Sequence, residues 1–414
     1  MTEKKTFLEF FAGIGLLRWA LQRDGWTCRF ANDISPDKKA LYDANFDGDE
    51  YVRRDIWELD ADEVPSADLA AACFPCTDLS LAGERKGLSG HQSGTFWAFT
   101  QLLDRMADRR PPFLLIENVP GFLTSNRGAD FLAAITELNR LGYRCDPLII
   151  DAARFVPQSR QRLFVVGALD SAGVMPPFSE ALLMADSELR PKALCDFVLS
   201  HRELKWSIGS LASLPSRPHS LDTVLENLPD NDASWWSRDR VNHLLSQMTA
   251  RHRSVVEAMM AKRKYSFATA YRRMRNGLSM AEVRNDGVSG CLRTPRGGSS
   301  RQILIKAGYG KISVRYMTAR EYARLQGVED SYVINVAQNR GLFGFGDAVC
   351  VPVIRWIASQ YLDPLLTARR NKGPSVPSSD EQRWPTRAAE ERRGSAVQAH
   401  HRSRGRVPAP ASAS

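Results

Sequence analysis

Seven short apolar runs alternating with helix-like stretches occupy residues 6–169, and they restrict the possible folds of this chain more than any other feature. The runs at 6–11, 27–32, 51–56, 68–74, 113–119, 143–151 and 163–169 have strand length. Segments 16–24, 36–45, 95–108 and 129–141, between several of them, carry helical patterning. Such alternation predicts an α/β fold with a doubly wound, mostly parallel sheet, whose ligands sit at the carboxyl ends of the strands. With 414 residues, 43% of them hydrophobic, the chain is long enough to bury two cores.

Beyond residue 170 the alternation stops. Pro, Ser and Trp (Trp206, Trp235, Trp236) become frequent, helical patches lie near 239–262, and 294–301 reads as an irregular loop, so 170–315 is expected to be a second, smaller domain. Thr318 and Glu321 have capping-box spacing at the head of a helix-like segment. The apolar run 353–362 then returns to the first domain, so 316–365 completes 1–169. Residues 366–414, rich in Pro, Ser, Ala and Arg, are expected to be a disordered basic tail.

The formal charge is +9, but the tail holds ten Lys/Arg against four Asp/Glu and so carries most of it. More informative is 238–275, with ten Lys/Arg against Asp239 and Glu257. Such a band suits nucleic acid, or simply a solvated helix face. Seven scattered cysteines, an odd number, fit a reducing compartment. No apolar stretch approaches the roughly 18–20 residues of a membrane span, and the first residues lack an export-signal pattern, so a cytoplasmic protein without membrane contact is expected.

Chemistry-bearing residues fall at the ends of the expected strands. Gly13 and Gly15 lie between the first strand and a helix, where missing side chains let a ligand approach backbone N–H groups. The third glycine of a dinucleotide fingerprint is replaced by Arg18. Asp33, 20 residues after Gly13, suits ribose hydroxyls, Asp55-Ile56 an adenine amine and its apolar wall, and Phe11 a cation or thioether. Pro75-Cys76 puts a thiol on the sheet rim. Cys73 and Cys76 also form Cys-x-x-Cys, yet no second ligand pair completes a zinc site, and Cys73 reads as a small packing residue. Glu117 ends another strand and could supply acid or cap a turn; Arg160 and Arg162 alternate on an extended segment, facing one side either as anion-holding groups or as surface ion-pair partners.

In order, Phe11-Ala-Gly13-Ile-Gly15, Pro75-Cys76, Glu117-Asn118-Val119, Gln158-Ser-Arg160-Gln-Arg162, Arg320-Glu-Tyr-Ala-Arg-Leu-Gln326 and Gly346-Asp347-Ala-Val349 resemble the six main motifs of the DNA (cytosine-5) methyltransferase family. The resemblance spans roughly 5–362. It implies a class I methyltransferase-type (Rossmann-like) catalytic domain facing a target-recognition domain across a DNA cleft. It implies S-adenosyl-L-methionine as cofactor, held by Phe11, Gly13, Gly15, Asp33, Ile34, Asp55, Ile56, Pro75, Asp347 and Val349. Cys76, Glu117, Arg160 and Arg162 become catalytic, and Cys76 attacks a cytosine flipped out of double-stranded DNA, with no metal. The glycine-rich loop 80–94 resembles the family's mobile catalytic loop. Thr77 stands where the family usually has glutamine, and Asp347 where it usually has asparagine. A compact chain of this type suggests a monomer in a restriction-modification or related antiviral system, with a cognate endonuclease or defence proteins as possible partners, or a solitary methyltransferase. Two alternatives stay open: cytosine-5 methylation of a structured RNA such as tRNA, and a catalytically silent DNA-binding module.

Overall fold

The computed structural model describes residues 4–79, 87–90, 92–185, 188–216, 220–294 and 301–372. Seven strands form the first sheet: β1 (Lys5–Phe10), β2 (Trp26–Asp33), β3 (Tyr51–Arg53), β4 (Leu69–Ala72), β5 (Phe113–Asn118), β6 (Tyr143–Asp151) and β7 (Gln161–Leu169). Their spatial order is β3-β2-β1-β4-β5-β7-β6. All neighbours are parallel except β7, which runs antiparallel to both β5 and β6. The strand order reverses between β1 and β4, and the crevice at the carboxyl ends there is where such sheets hold ligands.

Both faces of this sheet are buried, which explains why its strands read as nearly continuous apolar runs. Phe7 and Leu115 pack to one side with α1 (Leu16–Arg23) and the later helix Val351–Ile357. Leu8, Phe10, Leu114 and Ile116 pack to the other, against Phe99 and Leu102 of α3 (Thr95–Arg105) and Phe131 and Ile135 of the helix Ala129–Arg140. Between α1 and α3 in the chain, α2 (Pro36–Asp43) starts with Ser35, whose hydroxyl accepts from the Lys38 N–H, and with Pro36 at its first position.

The chain stays with the first sheet well past 170, the boundary expected from sequence. Leu183, Leu194, Val198, Trp206 and Ile208 join the core on one face, and Leu214, Leu221 and Val224 join the core on the other. Buried charge ties this segment down. Arg190 Nη2 donates to both oxygens of Asp146 on β6 at 3.0 and 2.9 Å, and Asp146 also accepts from the Gly209 N–H and the Tyr361 hydroxyl.

A second core begins only at the helices Arg238–Ser246 and Ala250–Met260, whose Val241, Leu244, Val256 and Met259 cover one four-stranded sheet. That sheet is antiparallel, with β8 (Ser266–Arg275), β9 (Leu278–Arg284), β10 (Ile303–Gly308) and β11 (Lys311–Tyr316) in the order β11-β10-β8-β9. β10 pairs with β8 only over residues 266–270, so the outer halves of β8 and β9 project as a two-stranded ribbon. Its two-residue turn is Asn276-Gly277, both at positive φ (50° and 77°), as a type I′ hairpin requires.

The capping box at Thr318 and Glu321 is present, and Glu321 also pairs with buried Arg315. The end of the chain differs from expectation. A helix covers Asp363–Lys372, and Leu366 is buried against the first core, so residues 366–372 are ordered; the remainder of the expected tail lies outside the described residues. The helical run Gln338–Lys372 is long and apolar enough to cross a membrane by composition, yet two-thirds of its apolar window is buried, and extended backbone at Ala348 interrupts it. It is a core element.

Candidate active site

The turn after β1 is built around two left-handed glycines, Gly13 (φ 59°) and Gly15 (φ 78°). At Gly15 a β-carbon would lie 2.4 Å from the Phe46 ring, so only glycine lets α1 begin there. At Gly13 a β-carbon would meet the Lys38 stem at 3.8 Å, an ordinary contact, so positive φ rather than crowding favours glycine there. Asp33 ends β2 as expected and braces the turn: Gly13 N–H donates to its Oδ2 at 2.9 Å and Ser35 N–H to its Oδ1 at 2.8 Å. Arg18, in the third-glycine position, is buried, donates to the Tyr42 hydroxyl at 2.8 Å and stacks on Phe46, which fixes α1 against α2. The adjacent Ile34 is 62% exposed, an apolar side chain presented at the sheet rim.

Asp55 and Ile56 lie beyond β3 rather than closing it. The strand stops at Arg53 because Asp55 caps a 3₁₀ turn, accepting from the Trp57 N–H at 3.1 Å, while Ile56 is buried. Phe11 adopts positive φ (57°) and packs, half-buried, beside the core of the α3 face. Val349 is almost fully buried in the first core, and Asp347 ends the helix Gln338–Asp347, 3.2 Å from Lys38 Nζ.

Cys76 follows β4, where backbone and side-chain bonds shape the loop. Asn118 Nδ2 donates to the Phe74 carbonyl at 3.1 Å and Ser93 Oγ to the Pro75 carbonyl at 2.9 Å. Asp78 accepts from the Gln92 and Ser93 N–H groups, which pins the segment ahead of α3 to the cysteine loop. Residues 80–86 and 91 of the expected catalytic loop lie outside the described residues.

Glu117, 6% exposed at the end of β5, pairs with Arg162 at the start of β7, Nε to Oε1 at 2.9 Å. This pair exists because β7 runs antiparallel to β5, which sets the two strands' site ends side by side. Both residues act on the Cys76 thiol: burial pushes it up, Arg162 pulls it down, and Glu117 adds to the rise. The net shift is upward.

Arg160 faces the same region, but its guanidinium is occupied. Nη1 donates to the Leu292 and Gly346 carbonyls at 2.9 and 3.3 Å, and Nη2 to the Ala348 carbonyl at 2.8 Å. It therefore fastens two distant segments beside the thiol, rather than offering donors to a ligand as Arg162 can. Gln158, fully buried, does the same work, accepting from the Leu292 N–H and donating to the Leu325 carbonyl.

Sequence reasoning did not find Cys291. The Arg160–Leu292 bond brings its thiol to 3.6 Å from Arg160 Nη1. Burial alone would raise this thiol, but Arg162 and Arg160 outweigh it and lower it. Two thiols thus share one arginine pair, shifted in opposite directions. All seven cysteines are free, and among the described residues no group of three or more His, Cys, Asp or Glu could hold a metal ion.

The profile of the C-5 cytosine-specific DNA methylase family matches residues 5–363. The chain belongs to that family. It is a DNA cytosine-5 methyltransferase, and needs a methyl donor. Among its relatives, the Type II methyltransferase M.DsaV of Dactylococcopsis salina is 29% identical over 364 residues, 87% of each chain. The Type II methyltransferase M.HpaII of Haemophilus parainfluenzae is 26% identical over 381 residues, covering 88% of this chain and 91% of that one. Solved structures share the fold. The S. pombe Dnmt2 methyltransferase aligns with a TM-score of 0.56 at 20% identity over 87% of this chain and 99% of its own. The Entamoeba histolytica methyltransferase EhMeth aligns at 0.59 with 15% identity, over 88% and 99%. The methyltransferase sheet is thus of the class I type, with a switch-point crevice between β1 and β4.

Proposed function

We propose that this methyltransferase acts on cytosines in duplex DNA through a transient bond from Cys76, with S-adenosyl-L-methionine as donor. The observation that carries the proposal is the buried Glu117–Arg162 pair whose field falls on the Cys76 thiol.

The donor fits the residues present. The left-handed glycine turn, the N-terminus of α1, the Asp33 carboxylate and the exposed Ile34 offer backbone donors, a ribose acceptor and an apolar wall. Asp55 and Ile56 would frame the base, and Phe11, Pro75, Asp347 and Val349 would border the same crevice. When bound, the cofactor supplies an electrophilic methyl group on a sulfonium.

The protein's own residues do the rest. The Cys76 thiol gives up its proton to water and Sγ bonds to cytosine C6 while the C5–C6 π pair shifts toward C4 and N3, which makes C5 electron-rich once N3 is protonated. Glu117, as the acid at the ring's N3 edge, gives its proton to N3, and Arg162, toward O2, holds the ring, each worth roughly 10² to 10⁴ in rate for a positioned group. C5 takes the methyl group. Loss of the C5 proton to water with cleavage of the Sγ–C6 bond, return of the N3 proton to Glu117 and uptake of a proton from water by Sγ leave 5-methylcytosine and the free thiol. The cytosine must leave the helix for this, at a cost of a few kcal/mol.

The second sheet suits the DNA. Arg238, Arg240, Arg251, Arg253, Lys262, Arg263, Lys264, Arg273 and Arg275 are all exposed, and the β8–β9 ribbon presents exposed Met274 and Leu278 at its tip. A two-stranded ribbon fits the major groove. Residues from about 235 to 316 are therefore the target-recognition domain. The relatives' designation as Type II methyltransferases supports a role in restriction-modification, alongside a cognate endonuclease, for a monomeric cytoplasmic enzyme.

Transfer of a tritiated methyl group to duplex DNA and to structured RNA, followed by bisulfite sequencing, tests this reading. Label in DNA at C5 of a fixed sequence is expected. Label in RNA alone would move the substrate class, and no label in either polymer would reduce the chain to a binding module.

A further inference from the structure

Lys38 and Asp347 form an ion pair between α2 and the end of the helix Gln338–Asp347, with Nζ and Oδ2 3.2 Å apart. The two helices are fixed relative to each other by packing. Gly344 presses so closely on Ile14 and Leu41 that a β-carbon there would lie 2.8 Å from Ile14 Cγ2, and Arg340 and Asp37 pair along the same seam at 3.5 Å. The position of the Lys38–Asp347 pair is therefore set by the core rather than by its own attraction.

That position is over the glycine turn. The Lys38 stem is the nearest atom to a β-carbon built on Gly13, at 3.8 Å, and the Asp347 carboxylate is close enough to Cys76 to raise its thiol. One ammonium and one carboxylate stand side by side next to the glycine turn, with side chains 28% and 45% exposed. A pair this exposed adds little to stability, so it can exchange partners at little cost.

A free amino-acid terminus carries the same two charges on one carbon. We propose that Lys38 and Asp347 together bind the amino-acid end of the methyl donor, Lys38 taking its α-carboxylate and Asp347 its α-ammonium. The inference rests on S-adenosyl-L-methionine being the donor, and it gives the aspartate, which stands where the family usually has asparagine, a matched counter-charge in this chain. Two new ion pairs take the place of the Lys38–Asp347 contact, each with charge-assisted hydrogen bonds.

Calorimetric titration of the full chain with three nucleosides tests it. S-adenosyl-L-homocysteine carries both charges, decarboxylated S-adenosylmethionine keeps the ammonium alone, and 5′-methylthioadenosine has neither. Lys38→Met should weaken S-adenosyl-L-homocysteine by about tenfold and leave the other two within twofold. Asp347→Asn should weaken the first two ligands by about tenfold and spare 5′-methylthioadenosine. Unchanged binding of S-adenosyl-L-homocysteine in both variants, tighter binding in Asp347→Asn, or an equal loss for 5′-methylthioadenosine would overturn the proposal. Should the wild type bind 5′-methylthioadenosine and S-adenosyl-L-homocysteine equally well, the donor site would stand and this pairing would fall. If it bound none of the three, the donor assignment itself would fall, taking this inference with it. Melting of the ligand-free variants at the wild-type temperature is expected, and excludes misfolding as the cause of a loss.

Discussion

The two sheets use charge in opposite ways. In the seven-stranded sheet the acting charges are few, buried and paired one to one, as with Glu117–Arg162 and Asp146–Arg190. On the four-stranded sheet and its helices, Arg315 buried against Glu321 aside, they are many, exposed and largely interchangeable, with only some partnered, as Arg253 is with Glu257 and Arg275 with Glu282. Burial makes a charge expensive to misplace, so it fixes a geometry. Exposure makes it cheap, so an array can only add up. One sheet is suited to chemistry on a single ring, and the other to a phosphate backbone.

Removing single arginines should separate the two regimes. The largest effect is expected for Arg162→Ala, which leaves Glu117 unpaired beside the thiol; methyl transfer in single turnover should fall by about 10² to 10⁴. A loss below fivefold would mean that the buried pair is not part of the chemistry. Arg190→Met should destabilise the protein by about 3–5 kcal/mol in urea unfolding, because Asp146 would remain buried without its partner. The same change at exposed Arg251 should stay within about 0.5 kcal/mol.

Glu9 sharpens the contrast through pH. It is 2% exposed on β1, and burial, opposed by Arg18, pushes its carboxyl up to about 8. The folded state therefore holds a proton that the unfolded chain releases near 4.5. Its contribution is complete below pH 4.5 and is lost as the pH climbs through 8. Glu9→Gln should raise the melting temperature at pH 9 relative to wild type and change it little at pH 5, the gap amounting to a few kcal/mol. A gap of equal size at both pH values would place the proton elsewhere. The smallest effect belongs to the second sheet. Arg273→Ala should weaken duplex binding by only a few-fold on every sequence and lower the slope of log affinity against log salt by about one.

The same contrast governs what could be read in the sequence. Strands and helices of the first sheet were legible because two buried faces impose long apolar runs, and helices 16–23, 36–43, 95–105 and 129–140 fall within a few residues of their expected ends. The strand-end places of Cys76, Glu117 and Arg162 were legible because each follows or opens an apolar run beside a distinctive neighbour. The four strands of the second sheet were not. In β8 the residues beyond Ala270 turn outward as Tyr271-Arg-Arg-Met-Arg275, so half the strand carries no apolar signal. The boundary at 170 misled for a related reason: segment 170–228 packs through scattered single residues such as Leu183, Trp206 and Leu221, without periodicity. Arg160 looked like a twin of Arg162. Only the chain's return at Leu292 and Ala348 shows that its donors are already taken. Cys291 and Lys38 had no local signal, because both enter the site through pairings more than 130 and 300 residues apart.

The central claim, that the partly buried Cys76 thiol bonds to the target ring, is open to a direct trial. A duplex carrying 5-fluorocytosine at the target position is incubated with enzyme and S-adenosyl-L-methionine, and run on a denaturing gel. The fluorine cannot leave as a proton does, so the wild type is expected to remain covalently attached, with a peptide map placing the link at Cys76, while Cys76→Ala gives no shifted band. A wild type that fails to be trapped on DNA it methylates, or a Cys76→Ala protein trapped as efficiently as the wild type, would contradict the account.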